Sequence, residues 1–108
     1  DAAEACTLWK GMPALLIADI DVRDAETYSR YRLANPEIVR KHGGRYLAVG
    51  REVRVLEGDW SPRRTVIIEF PDMQSLDAWY HSPEYQPLIA LRKRCTSDMD
   101  MLFALEGA

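Results

Sequence analysis

The chain has 108 residues, 47% hydrophobic and 29% charged, with a formal net charge of −3. That length makes one domain, which buries roughly two-thirds of its unfolded surface and needs no disulfide or metal staple to fold. Basic residues scattered through a slightly acidic chain argue against a nucleic-acid partner, and no apolar run approaches the ~20 residues of a membrane span.

Residues 1–11 carry no clear period and read as an upstream extension, with Met12 a candidate start; residues 12–108 read as a single domain. Over residues 14–22, Leu16, Ala18, Ile20 and Val22 share one apolar strand face, while Leu15, Ile17, Asp19 and Asp21 share a face that turns acidic at its end. Asp24 is placed to cap a helix bearing Tyr28 and Tyr31 on one side. Asn35-Pro36 is expected to interrupt it, with Asn35 recapping a second piece over residues 36–42 that ends at Gly43-Gly44. Residues 44–49 and 53–57 read as one extended region bent near Gly50, and residues 58–63 as a loop. The third strand spans residues 65–70, with Val66, Ile68 and Phe70 on its apolar face, and Asp72 can cap the helix that follows. Ser82-Pro83 opens a new turn. Pro87 comes too late for that turn, so a separate helix is expected to about Arg94, then a last strand over residues 101–105.

The order β-α-β-β-α-β is the ferredoxin-like α+β pattern, with the first and third strands expected to be central and parallel. Its helices cover one sheet face. Leu15, Ile17 and Ile67 point to the other, and a second copy of the chain is the simplest cover, so a homodimer is expected.

Several motifs, in order, resemble the domain-of-unknown-function 1330 family: Met12-Pro13-Ala14, Ala18-Asp19-Ile20-Asp21, Gly43-Gly44-Arg45-Tyr46, Leu56-Glu57-Gly58, Ile68-Glu69-Phe70 and the run from Trp79 to Leu88. The resemblance covers about residues 12–107. It implies a ferredoxin-like dimeric α+β barrel, but little function, since the family has no established activity and its superfamily cousins include cofactor-independent monooxygenases and muconolactone isomerases. Arg51 departs from the family pattern, standing where a second glycine often follows Gly50.

Asp19 and Glu69 are the candidate catalytic pair: near the ends of two central strands and facing away from the helices, two close carboxylates would raise one pKa and supply a proton-transfer base. The competing reading pairs each with an arginine, such as Arg45, itself a candidate ligand contact. His42 is a third candidate, or a helper at the helix end. Tyr28, Tyr31, Trp79 and Tyr85 are candidate ligand contacts, or plain core aromatics. Arg63 and Arg64 can offer cations to an anion, or sit on a solvated loop. No metal or organic cofactor is expected. The sequence names no reaction. It supports a small cytoplasmic homodimer binding an aromatic or carbonyl metabolite, as a cofactor-independent enzyme or as a non-catalytic binding or interaction module.

Overall fold

The computed structural model describes residues 12–50 and 52–108; the expected N-terminal extension and Arg51 lie outside them. Strand β1 (Ala14–Asp19) leads into helix α1 (Ala25–Lys41), then β2 (Arg45–Val49), β3 (Thr65–Phe70), α2 (Met73–Tyr80), α3 (Gln86–Cys95) and β4 (Met101–Glu106). The four strands form one sheet in the order β2-β3-β1-β4, every neighbouring pair antiparallel.

The expected parallel pairing of the first and third strands is therefore corrected. The α1 crossover brings β2 back in the direction of β1, and the chain then reverses into β3, which inserts between them and opposes both.

The helix ends follow local rules. Asp24 caps α1 by accepting from Thr27 N at 3.1 Å, and Asp72 caps α2 through Ser75 N at 2.7 Å. Beyond the end of α1, Gly43 takes φ +80°, Gly43 N donates to Arg40 O at 3.0 Å and Gly44 N to Val39 O at 2.9 Å, satisfying the last carbonyls. Ser82 organises the expected turn, its Oγ donating to Trp79 O at 2.9 Å and accepting from Tyr85 N at 3.2 Å.

Two further expectations are corrected. Helix α1 runs unbroken through Pro36. The proline forfeits its hydrogen bond to the Arg32 carbonyl, but Asn35 is buried with its side chain engaged elsewhere and does not recap. Residues 53–57 form no strand. The β2–β3 ladder ends at Val49 opposite Val66, Gly50 N closes onto Thr65 O, and the next carbonyl, Arg64 O, already accepts from Ile20 N.

The three helices lie over one face of the sheet, where Leu16, Ala18, Ile68 and Phe70 join Val39, Trp79 and Tyr85 in the core. Trp79 and Tyr85 are fully buried, their rings 4.3 Å apart. On the other face the register aligns Leu15 with Leu105 and Ile17 with Phe103 and Ile67, and this face is open: Phe103 is 46% exposed and Leu105 42%. Among the described residues no helix is long and apolar enough to cross a membrane.

Candidate functional site

A cavity of about 500 Å³ lies between α1 and the helix-side face of the sheet. Its lining includes buried Leu16, Ala18 and Ile68, and the exposed Arg32, Pro36 and Val49 mark its rim. Tyr28 and Tyr31, one turn apart on α1, form an aromatic wall with ring centroids 5.4 Å apart.

Strand β2 supplies Tyr46 and Val49 to the same cavity, although residues three apart point to opposite faces of a regular strand. A bulge resolves this. Tyr46 pairs with Ile68, Ala48 with Ile67 and Val49 with Val66, so Leu47 is an extra residue that resets the alternation. Gly50 allows the chain to close beside it, since a Cβ there would sit 2.7 Å from Thr65 O.

The polar groups converge. Asn35, 1% exposed, accepts from Trp79 Nε1 at 3.1 Å and donates through Nδ2 to the Tyr46 hydroxyl at 2.9 Å. The Tyr31 and Tyr85 hydroxyls meet at 2.6 Å. Arg64 lines the cavity with its Cζ 5.4 Å from the Tyr28 ring centroid, and its buried Nε has no partner among the described residues. Burial pushes the phenol of Tyr28 up, that of Tyr31 well up, and that of Tyr46 up to about 12, so all three are protonated donors at neutral pH.

The family model described as domain of unknown function (DUF1330) matches residues 13–107. The chain belongs to this family. Among curated proteins, none matches the sequence. Several solved structures share the DUF1330 chain's fold. A protein of unknown function from Rhodopseudomonas palustris is 18% identical with a TM-score of 0.74, the match covering 99% of this chain and 91% of that one. A dimeric ferredoxin-like protein of unknown function from Thermobifida fusca is 14% identical with a TM-score of 0.64, covering 92% and 94%. A variant of a cofactor-independent oxygenase from Streptomyces nogalater is 12% identical with a TM-score of 0.63, covering 90% and 94%. At such identities the likeness is one of fold.

Of the candidate contacts singled out in the sequence, this DUF1330 chain brings Tyr28, Tyr31 and Arg64 to the cavity wall. Trp79 and Tyr85 lie behind it in the core. Asp19 and Glu69 do share the face away from the helices, but they do not meet: Asp19 stands opposite Thr65 and Glu69 opposite Leu15, four residues or about 13 Å apart along the strands. Asp19 accepts from Arg63 N at 2.9 Å and Thr65 Oγ1 at 3.3 Å, ordering the entry to β3. Glu69 pairs with Arg45 across the open face, Nε to Oε1 at 2.9 Å. His42 ends α1 with Nδ1 2.9 Å from Ile38 O; a carbonyl only accepts, so Nδ1 carries the hydrogen.

Sequence reading missed Asn35 and Tyr46 as site residues. In sequence Asn35 reads as a local cap, and Tyr46 enters only as the last residue of the Gly43-Gly44-Arg45-Tyr46 motif. Arg64 was visible only as half of a loop dipeptide whose other half, Arg63, pairs with Asp21 at 3.5 Å. One signal was present: an Asn buried in mid-helix needs partners for both ends of its amide.

Proposed function

We propose that this DUF1330 protein is a small cytoplasmic homodimer, each subunit of which binds a small aromatic or carbonyl-bearing metabolite in the cavity beneath α1. The cavity carries this reading. Its volume of about 500 Å³ falls in the usual range for small-molecule sites, about 300–1,000 Å³, and an apolar floor with a few converging polar groups is their usual construction. Stacked Tyr28 and Tyr31 suit a flat ring, and Tyr46 and Arg64 suit an acceptor oxygen. The described lining residues include no carboxylate and no imidazole, which favours binding over proton-transfer catalysis. The apolar open face, and the dimeric Thermobifida fusca neighbour, support the second copy.

Native mass spectrometry of gently purified protein, with thermal-shift screening of aromatic acids, ketones and phenols, tests the reading. A retained small molecule or a reproducible rise in Tm is expected. Ala18→Leu, which extends a side chain from the cavity floor, should abolish the shift. An unliganded mass together with no shift from any compound, or equal binding by Ala18→Leu, would refute it.

A further inference from the structure

We infer that Tyr46 and Arg64 form an oxyanion subsite in this cavity, which takes the carboxylate of a small aromatic or unsaturated acid. The inference rests on the cavity being a ligand site and adds the charge of the ligand.

The hydrogen-bond polarity begins in the core. An indole N–H can only donate, so Trp79 Nε1, 3.1 Å from the Asn35 amide, fixes the oxygen of that amide towards itself. The amide nitrogen is thereby turned to the Tyr46 hydroxyl at 2.9 Å, and nitrogen of an amide donates. Tyr46 oxygen is thus an acceptor in this bond, and its own hydrogen is left for another partner. Among the described residues it makes no other hydrogen bond, and the side chain lines the cavity. Trp79 is fully buried and Asn35 1% exposed, so neither can reorient into water. The relay occupies the Tyr46 oxygen as an acceptor and leaves its hydrogen available to a ligand.

Arg64 supplies the charge. Its guanidinium lies over the Tyr28 ring, Cζ 5.4 Å from the centroid, an arrangement that suits a cation. The residue lines the cavity, and its buried Nε has no partner among the described residues, so the guanidinium is not fully engaged by the protein. Arg32 at the rim adds a second cation, and no described lining residue is acidic. A carboxylate has acceptors alone, and matches donors converging in a partly desolvated site. The apolar floor of Leu16, Ala18 and Ile68 suits an uncharged remainder of the ligand, and the stacked Tyr28 and Tyr31 suit a flat one.

Isothermal titration with 2-naphthoate and its neutral isostere 2-naphthamide tests the subsite in the wild type, Tyr46→Phe and Arg64→Gln. Naphthoate is expected to bind about tenfold or more tightly than naphthamide, as hydrogen bonds to a charged group outweigh neutral ones. Arg64→Gln should collapse that preference while retaining naphthamide binding, which also certifies the variant as folded. Tyr46→Phe should weaken naphthoate about tenfold. Equal affinity of the two probes for the wild type would overturn the oxyanion subsite and leave the cavity reading standing. A preference that survives both substitutions would likewise overturn it. Binding of neither probe, with no other compound shifting Tm, would remove both readings together.

Discussion

Replacing Asn35 by leucine removes the amide that links helix α1 to Trp79 and Tyr46 while keeping nearly the same volume. The two losses are unequal. Tyr46 borders a cavity that opens to the surface, so water can replace the lost donor. Trp79 has no exposed surface, and its indole N–H is left buried without an acceptor. Such an orphan costs about 1–3 kcal/mol, and with the second bond the loss should be about 2–3 kcal/mol. For a domain of this size that is a fall in Tm of about 10 °C or more. Urea and thermal unfolding followed by circular dichroism, at one fixed protein concentration so that the proposed dimer contributes equally throughout, give the value. The Asn35→Leu/Trp79→Phe double variant closes the cycle. Removing both partners leaves no orphan, so the double loss should fall short of the sum of the singles by about 1 kcal/mol. A single loss below about 0.5 kcal/mol, or a strictly additive cycle, refutes the reasoning that the amide satisfies the indole.

Three other outcomes follow from the same structure. Gly44→Ala would place a Cβ 2.6 Å from Phe70 Cε1 and 2.7 Å from Val39 Cγ1, and should cost about 1–3 kcal/mol as overpacking, measured by urea midpoint at unchanged slope. Burial holds the Tyr46 phenol at about 12, above its ordinary value near 10, so the native state retains this proton more tightly than the unfolded chain. Stability is then whole below about pH 10 and declines by about 2 kcal/mol as pH rises to about 12. Tyr28, Tyr31 and Tyr85 are shifted in the same direction, and urea titrations across that window should show Tyr46→Phe lessening the slope. Phe103→Glu, at a position 46% exposed on the open sheet face, should convert the proposed dimer to a folded monomer in sedimentation velocity with its circular dichroism spectrum intact. An unchanged sedimentation coefficient would show that this face is not the assembly surface.

What could be read from the sequence was local. Asp24, Asp72 and the Gly43-Gly44 pair act within one turn of chain, and the alternation in β1 and β3 reports a face whatever the strand pairs with. The errors all concern partners distant in sequence. Pro36 suggested a break, yet Asn35 is held in the helix by Trp79, 44 residues away. Residues 53–57 have strand composition but no ladder to join. The supposed carboxylate pair depended on strand direction, and reversing one strand moves Glu69 to the opposite end from Asp19. The helix wall of the cavity was legible in Tyr28 and Tyr31, but its strand wall was not: the Leu47 bulge that turns both Tyr46 and Val49 inward leaves no mark in the periodicity.

The central strands also act as a partition one residue thick. Along β1, Ala18 faces the cavity, while its neighbour Ile17 shares the open face with Ile67 and Phe103. Because successive residues point to opposite sides, the cavity-facing and outward-facing surfaces have no side chain in common on these strands. The cavity can therefore be reshaped at Ala18, Val66 or Ile68 without replacing an outward-facing side chain, and the outer surface can be remade without replacing a cavity-lining one. Any communication between the two must pass through flexing of the backbone ladder, which makes this sheet a scaffold whose two sides can diverge independently.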